Sequence, residues 1–399
     1  MLLAHKIRLN PSPEQEIYFK KACGTARFTY NWALATWKQN RDNDHKKSVT
    51  KSKHDLNDMK HEKYPWMYAV TKCATEYAFI DLNQAMSNHF KNPKHFGFPN
   101  PKTKKRSPLR FGIDNNNFSV EGHNLYIAKM DKPINMAEEL RFIGKLMVCR
   151  ISYKAGHWYA SITVEIEREN KPPKLTDKSL TEIKAVGIDL GIKTLATMSN
   201  GQMFENQKHL DHALKHVRRL NRKLSRSERF SQNHAEMVLE LGRAYQKVTN
   251  LRTDQYYKMV GEILKGDYDL IGLENLTVKG MMKNKKLARQ LSDVSFSTFK
   301  WILTYKAESL GITVIEVGRF YPSSQICNDC KYQNHELTLA DREWTCPKCG
   351  VHHERDLNAA TNIEEEAVRL YLQGVNDAEK QSSVAGVVTP DVKRLSDRA

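Results

Sequence analysis

The sequence predicts an α+β protein of several domains, and three patterns along its 399 residues support that prediction. Apolar residues recur at helical spacing up to about residue 90, and they alternate with period two between residues 147 and 166. The second half alternates buried-strand patterns with long charged helices. A chain of this length fits two or three domains. The polar segment 167–182, which contains Pro172 and Pro173, is the predicted main boundary.

The first hundred residues are predicted to form a strand followed by helices. Residues 1–10 are the strand, and Ser12 and Gln15 form a capping box that starts the first helix. Residues 40–62 are expected to be a loop or an exposed helix. A second helix is predicted from Pro65 to about Phe90. Both helices carry one apolar stripe, which packing against a neighbour explains: Phe19, Cys23, Ala26, Tyr30, Ala33 and Trp37 in the first, and Met67, Val70, Ala74, Ala78, Leu82 and Ala85 in the second.

The period-two segments predict a β-hairpin in a small sheet or barrel. Met147, Cys149, Ile151 and Tyr153 alternate before the turn at 154–157, and Ala160, Ile162, Val164 and Ile166 alternate after it. If strand 1–10 joins that barrel, the helices of residues 12–90 are an insertion into it.

The second half opens with a buried strand, Ala185–Leu190, followed by a charged helical hairpin over residues 206–265. Further strands are predicted at Tyr268–Glu274 and Ile312–Val317. The last helix is predicted from about Arg355 to Gln373, ending at Gly374 because glycine is frequent just beyond a helix end. Residues 375–399 lack a periodic apolar pattern and are expected to be disordered.

The charge of the chain favours a polyanionic partner. Sixty-three Lys and Arg against 46 Asp and Glu give a net charge of +17. A generic solvated surface is the alternative, but the basic stretches 45–54, 101–106, 215–229 and 283–289 are well separated, which suits a long nucleic acid. The sequence contains no run of about 18 apolar residues, so no membrane span is predicted. The N-terminus lacks the apolar region of a signal peptide. A cytoplasmic protein is therefore expected.

Four of the seven cysteines have the spacing of a zinc site. Cys327 and Cys330 are separated by 15 residues from Cys346 and Cys349, in the pattern C-x2-C-x15-C-x2-C. A redox dithiol or disulfides are the alternatives, and two symmetric pairs favour tetrahedral closure around zinc. Such a site has no open ligand position, so the zinc is expected to be structural. The remaining cysteines, Cys23, Cys73 and Cys149, are expected to be small buried hydrophobes.

Three acids are candidates for a metal site. Asp189 and Glu274 end apolar strands, and Asp356 lies in the first turn of the last helix, on its apolar face. A buried acid is costly unless it is paired or bound to metal. Three acids converging at one sheet edge would hold two Mg²⁺ ions for phosphodiester hydrolysis. Taken singly, each acid is better explained as a helix cap or an ion-pair partner.

These segments together resemble the TnpB family, transposon-encoded relatives of type V CRISPR effectors. The motifs are VGIDLGIKTLAT (186–197), IGLENLTVKGM (271–281), YPSSQICNDC (321–330) and CPKCGVHHERDLNAATNI (346–363). The resemblance is strongest over residues 184–365. It implies a wedge-type β-barrel with an inserted helical recognition lobe, then an RNase H-like (RuvC) α/β nuclease domain with an inserted four-cysteine zinc knuckle. On that basis the barrel is expected from residues 1–10 and 105–170, the lobe from 11–104, the nuclease domain from 183–373 and the knuckle from 320–352.

The resemblance also assigns site residues. Asp189, Glu274 and Asp356 match the family's catalytic carboxylates that bind two Mg²⁺ ions, and the four cysteines match its zinc positions. Two residues depart from the usual pattern, Glu354 in place of Asp and Lys331 in place of Gly. The family reads its adjacent DNA motif from the helix after Pro65, which makes Lys72 and Glu76 candidates, with an ordinary exposed ion pair as the alternative. Lys104, Lys105 and Arg106 are further candidates for nucleic-acid contacts.

The function implied is RNA-guided cleavage of double-stranded DNA next to a short transposon-adjacent motif. The expected partners are a guide RNA from the transposon end and the DNA target, with no membrane, and the protein is expected to be monomeric with its RNA. The alternatives are a nuclease-inactive RNA-guided repressor and a transposase that transfers DNA strands. The intact acid trio disfavours the first, and the absence of a His-hydrophobic-His motif disfavours the second.

Overall fold

The computed structural model describes residues 1–42, 49–167, 174–175, 182–276, 288, 291, 293–338 and 341–384. The chain forms two compact units, the first from residues 1–169 and 220–243 and the second from residues 170–219 and 244–399. No helix within the described ranges is both long and apolar enough to cross a bilayer. The proline pair at 172–173, most of the basic run 283–289 and residues 385–399 lie outside the described residues.

The first unit is built on a seven-stranded antiparallel sheet that is nearly closed and barrel-like. Its strands are β1 (Leu2–Asn10), β2 (Arg110–Asp114), β3 (Phe118–Glu121), β4 (Asn124–Ile127), β5 (Ile134–Met136), β6 (Lys145–Lys154) and β7 (His157–Glu165), in the order β2-β6-β7-β1-β5-β4-β3. The predicted hairpin is β6 and β7, and β1 pairs with β7 along its length. Alternate residues of each strand, such as Ile7 and Leu9 in β1, are buried in the core because strand side chains point to opposite faces.

Helices occupy the chain between β1 and β2. They are α1 (Pro13–Asp42), α2 (Val49–Lys63), a 3-10 turn (Pro65–Ala69) and α3 (Cys73–Lys91). The predicted capping box is confirmed, since the Gln15 backbone N–H donates to Ser12 Oγ and the Ser12 N–H donates to Gln15 Oε1. Phe19 of α1 packs against Trp158 of β7 with ring centroids 4.9 Å apart. The apolar stripes of α1 and α3 therefore form one core with the sheet.

The prediction of one continuous helix from Pro65 to Phe90 was wrong. The 3-10 turn ends at Val70, which is extended (φ −129°, ψ 170°), and α3 starts at Cys73. The Thr71 backbone N–H donates to Tyr18 Oη at 2.9 Å, and the Cys73 N–H donates to Thr71 Oγ1 at 3.4 Å. These bonds satisfy donors that a helix would otherwise use, so a contact with α1 breaks the helix where the apolar pattern continues.

The second unit contains a five-stranded mixed sheet in the order β10-β9-β8-β11-β12. Its strands are β8 (Ala185–Leu190), β9 (Thr194–Met198), β10 (Met203–Glu205), β11 (Leu270–Leu273) and β12 (Thr313–Glu316), and its helices are α4 (His209–Arg226), α5 (Gln232–Ile263), α6 (Phe296–Ser309) and α7 (Arg355–Val384). The strands β8, β11 and β12 run parallel. The hairpin β13 (Glu343–Thr345) and β14 (His352–Glu354) precedes α7.

Two glycines allow α7 to lie directly on the sheet. A Cβ at Gly187 of β8 would stand 2.0 Å from the Ala360 carbonyl oxygen, and one at Gly272 of β11 would stand 2.8 Å from the Ile363 carbonyl oxygen. Only glycine permits so close an approach of a strand to a helix backbone. The two glycines thereby fix the distance between α7, which carries Asp356, and the strands that carry the other two acids.

One further expectation for the second half needs correction. The last helix does not end at Gly374, and α7 continues to Val384. A glycine inside a helix costs only about 1 kcal/mol relative to alanine, and the following Val-Asn-Asp-Ala-Glu-Lys contains no proline to stop the helix. Residues 220–243, at the tip of the charged hairpin α4–α5, group with the first unit.

Candidate functional site

Asp189 and Glu274 lie side by side at the carboxyl edge of two parallel strands. Leu273 of β11 pairs with Ile188 of β8, so the next residue on each strand is one of the two acids. Each carboxyl group lies close enough to the other to perturb its pKa. Burial, together with the nearby Glu274 and Asp356, raises the pKa of Asp189 to about 8, and burial raises the pKa of Glu274. The strand edge therefore concentrates negative charge that only a proton or a cation can balance.

Asp356 faces the same cleft from the first turn of α7. Its carboxylate accepts hydrogen bonds from Arg342 Nη1 at 3.1 Å and from Arg355 Nη2 at 3.2 Å. The cleft has a volume of about 540 Å³ and is lined by all three acids. The oxygens of the three acids do not all lie within 4.8 Å of one another, so Asp356 stands across from the Asp189–Glu274 pair. The tertiary structure thus brings the three predicted acids into one cleft, where two arginines bind Asp356.

The cleft also holds cations that sequence reasoning missed. Lys193, Lys208, Arg342 and Arg355 line it with the acids. Lys193 lies in the motif of Asp189, and Arg355 immediately precedes Asp356. Their closeness in sequence to a candidate acid could therefore have identified both residues. Arg342 and Lys208 carried no such signal. Acids beside several cations form a site that can bind a divalent cation and a phosphate group together.

Two buried asparagines hold the segment before the first cysteine pair against α7. Asn362 Nδ2 donates to the Ser323 carbonyl at 2.8 Å, and Asn358 Nδ2 donates to the Ile326 carbonyl at 2.7 Å. The Asn358 Oδ1 in turn accepts from the Asn328 N–H at 3.0 Å. These bonds place the cysteine cluster at a fixed position along the helix that begins with Asp356. Sequence reasoning did not identify either asparagine, although their i, i+4 spacing puts them on one face of α7.

The four predicted cysteines come together in one cluster. Their sulfurs all lie within 4.8 Å of one another, with 3.6 Å separating Cys327 from Cys349 and 3.6 Å separating Cys330 from Cys346. Four sulfurs placed tetrahedrally around zinc at about 2.3 Å are roughly 3.8 Å apart, which is close to these separations. The cluster can therefore hold one zinc ion.

The two cysteine turns have the same backbone geometry. The N–H groups of Cys327 and Cys346 donate to the carbonyls five residues later, and Lys331 and Gly350 donate back to the two cysteine carbonyls. Lys331 (φ 60°) and Gly350 (φ 76°) occupy the same position with positive φ. The lysine side chain compensates, since Nζ donates to the Asn328 carbonyl at 2.5 Å and pairs with Glu365. The departure at Lys331 thus leaves the cysteine geometry intact. The isolated Cys23, Cys73 and Cys149 are buried, as predicted.

The predicted nucleic-acid contacts lie in the first unit. Lys72 is exposed at the start of α3, whereas the Glu76 carboxylate lies within 4.8 Å of Cys73 Sγ and of an Asp114 oxygen. Lys104, Lys105 and Arg106 are exposed in a turn whose ends are joined by the Thr103 N–H donating to Ser107 Oγ at 2.9 Å. The geometry leaves Lys72 and the basic turn accessible to a ligand and places Glu76 toward the protein.

The raised pKa of Asp189 predicts how the stability of the cation-free protein depends on pH. The folded-state pKa is about 8 against an ordinary value of 3.8, so the folded state binds more protons than the unfolded state between about pH 4 and pH 8. Stability therefore falls as pH rises through that window. Asp189→Asn removes this penalty and should raise the midpoint of thermal unfolding by several degrees at pH 8, and by much less at pH 5.

The measurement is thermal unfolding in magnesium-free buffer without chelator. Asp267→Asn is the control, because Lys184 and Lys174 lower the pKa of that exposed acid to about 2. That variant should gain no stability at pH 8. An Asp189→Asn midpoint that follows the wild type at both pH values would contradict the expected pKa.

Comparison with known proteins gives consistent matches along the chain. Residues 161–285 match the family model described as "Probable transposase" (OrfB_IS605), and residues 296–363 match "Cas12f1-like, TNB domain". Residues 1–47 match a model described as "Helix-turn-helix domain". The first two ranges contain the three acids and the four cysteines.

Matches to individual relatives extend over much of the chain. A Streptomyces pristinaespiralis protein named "Putative RNA-guided DNA endonuclease" is 29% identical over 365 residues, covering 90% of this chain and 88% of the relative. InsQ of Escherichia coli K12, with the same description, is 26% identical over 379 residues and 91% of each chain. TnpB-like protein L79 of Acanthamoeba polyphaga mimivirus is 23% identical, covering 60% of this chain and 52% of the relative. A solved Cas12f1-sgRNA-target DNA complex contains a chain similar in fold, with a TM-score of 0.56, 15% identity, and coverage of 88% and 83%.

Proposed function

Because the chain belongs to the TnpB family, we propose that it is an RNA-guided DNA endonuclease whose active site is the cleft of Asp189, Glu274 and Asp356. The observation that carries this proposal is the cleft itself, where an Asp–Glu pair at a sheet edge faces a third acid held by two arginines. A helix cap or a surface ion pair would not need the three acids to converge.

The acids suit a hard divalent cation. All three offer carboxylate oxygens, which Mg²⁺ prefers, and the raised pKa values of Asp189 and Glu274 mark a site where a positive charge is favourable. Asp189 and Glu274 would hold a cation between them, and Asp356 would complete the site from α7. Bound Mg²⁺ would supply Lewis-acid activation of the phosphodiester and of the attacking water.

The cations of the cleft have a separate role in this proposal. Arg342 and Arg355 hold Asp356 and can turn toward a phosphate that enters, while Lys193 and Lys208 line the wall of the same cleft. Charge-assisted hydrogen bonds from these groups would orient the DNA backbone against the acids. The guide RNA would supply sequence specificity by pairing with the target strand, while the protein reads a short adjacent motif.

The cysteine cluster is proposed to bind one structural zinc ion. Four sulfurs complete a tetrahedral shell, so no ligand position remains for a substrate. Through Asn358 and Asn362 the cluster is joined to α7, so the zinc would stabilise the position of Asp356 without contacting DNA.

The proposal is tested with the RNA that copurifies with the full-length protein. That RNA is sequenced, and a plasmid carrying the matching target beside a randomised flank is incubated with the complex and Mg²⁺. Linear plasmid from matched targets, and none from a scrambled target, is the expected result. Binding to the matched target without any cleavage would instead identify the chain as a repressor.

Lys72 is predicted to contribute to recognition of the flanking motif. A specific base contact would make each wrong base cost about 1–3 kcal/mol, so Lys72→Ala should broaden the accepted flanks. A phosphate contact would weaken binding to all flanks alike and would reduce the slope of log K against log salt by about one. Cleavage of the randomised-flank library by wild type, Lys72→Ala and Glu76→Ala distinguishes a change in flank preference from a uniform loss. Unchanged preference and rate in both variants would assign the pair to the solvated surface.

A further inference from the structure

A second cavity, in the first unit, collects positive charge that the candidate nuclease site does not use. It has a volume of about 310 Å³ and is lined by Arg27 of α1, Lys102 of the loop before β2, Arg110 of β2 and Arg150 of β6. The carboxylate that lines it is Asp81 of α3. Four cations from four separate segments thus meet one acid, which leaves a local excess of three positive charges.

Asp81 is shared among three of the four cations. Its oxygens lie 3.0 Å from Arg150 Nη1, 3.3 Å from Arg110 Nη2 and 3.7 Å from Lys102 Nζ. Burial, with the neighbouring arginines, lowers the pKa of Lys102 to about 8 even though Asp81 opposes the shift. One carboxylate is therefore insufficient for the cations around it, and a second anion would be favourable in the cavity.

Arg27 is the one of these four cations that makes no ion pair with Asp81. It is half-buried, and within the part of the chain that the structure describes it makes no ion pair or side-chain hydrogen bond. A guanidinium with five donors directed into a cavity of like charges is unfavourable for folding alone. Its presence there is better explained by a ligand than by packing.

The cavity is pre-organised by the chain around it. Asn31 of α1 exchanges two hydrogen bonds with the backbone of Lys102, at 2.7 and 2.8 Å, which fixes the loop to α1. The Lys102 ammonium also lies 3.7 Å from the centre of the Tyr30 ring, and Arg150 lies 4.5 Å from the centre of the Tyr77 ring. Ser107 lines the cavity and closes the turn that exposes Lys104, Lys105 and Arg106. The basic turn therefore continues from the cavity wall.

We propose that this cavity binds one phosphodiester group of a nucleic-acid strand, with Arg27 as the principal donor and Lys102, Arg110 and Arg150 as supporting cations. Planar guanidinium groups recognise phosphate oxygens by paired hydrogen bonds. A volume near 310 Å³ is at the lower end of ligand pockets, which suits one phosphate with its sugar. The inference rests on the nucleic-acid binding of the proposed function, but not on cleavage.

The test compares wild type, Arg27→Gln, Arg27→Lys and Arg141→Gln as full-length proteins. Arg141→Gln is the matched control, because it removes an exposed arginine of the same unit that pairs with Glu138. One arm measures the affinity of the RNA-free protein for its copurifying RNA at several salt concentrations. The other arm measures the affinity of the RNA-loaded protein for target DNA, which distinguishes the two sources of the phosphate.

Relative to Arg141→Gln, Arg27→Gln should weaken binding about tenfold in one of the two arms, either to the RNA or to the target DNA. It should reduce the slope of log K against log salt by about 0.7 for a single strand or 0.9 for a duplex. Arg27→Lys should recover most of the slope. The thermal midpoint of free Arg27→Gln should not fall, because a like charge has been removed, whereas a purely structural arginine would lower it.

Equal affinities for Arg27→Gln and Arg141→Gln in both arms would overturn the cavity assignment, as would a lowered midpoint with unchanged binding. A wild type that binds RNA and DNA but does not cut would refute the proposed nuclease while leaving this site testable. A wild type that binds neither RNA nor DNA would refute both the proposed nuclease and the proposed phosphate site.

Discussion

Replacing Asp189 by Ala is expected to reduce DNA cleavage by at least about a thousandfold while leaving RNA and target binding intact. Asp189 and Glu274 form the carboxyl pair at the strand edge, and loss of either removes part of the oxygen set proposed to hold the cation. Neither acid attracts a polyanion, so their removal should keep binding the same or tighten it slightly. Glu274→Ala and Asp356→Ala should have the same effect.

The control for these variants is Glu354→Ala. Glu354 is exposed on β14, two residues before Asp356, and so offers a matched loss of one carboxylate outside the cleft. Cleavage is measured with the copurified RNA and matched plasmid, and binding with the same target labelled. Full activity in Asp356→Ala combined with inactivity in Glu354→Ala would reverse the assignment within the motif HERD. Cleavage by Asp189→Ala at the wild-type rate would remove the cleft as the active site.

Loss of the cysteine cluster is expected to have the second large effect. The purified protein should contain about one zinc per chain, and Cys327→Ser or Cys346→Ser should abolish stoichiometric zinc and sharply reduce the yield of folded protein. Both cysteines are buried, and the core around them is small, consisting mainly of Trp344 and the cysteines themselves. So small an apolar cluster cannot hold the segment without the metal.

Zinc loss should also reduce cleavage, although no zinc ligand lies in the cleft. The segment that contains the cysteine cluster also carries Arg342, which binds Asp356 of α7. Its Ser323 and Ile326 carbonyls accept hydrogen bonds from the two asparagines of α7. The cysteine cluster is therefore joined to α7. Metal analysis and cleavage are compared with Cys73→Ser, which removes a buried thiol outside the cluster and should keep one zinc. A folded, active sample that contains no zinc would refute the structural role.

Local signals in the sequence were sufficient for most elements of the fold. The capping box at Ser12 and Gln15, the buried strand Ala185–Leu190 and the two cysteine pairs depend on residues close together in the chain. The same holds for the acids, because a carboxylate at the end of an apolar strand is visible without a partner. These features are encoded by short-range propensity and spacing, which a sequence displays directly.

Tertiary contacts decided the remaining features. Tyr18 breaks the helix at Thr71 from 53 residues away, and Arg342 reaches Asp356 from a loop 14 residues earlier. The four cations around Asp81 come from segments that are far apart in sequence, so no local pattern reveals their excess charge. The sequence by itself therefore determined which residues could do chemistry. The folded chain decided which charges face each other, because the electrostatic energy of a group depends on neighbours that long-range packing brings together.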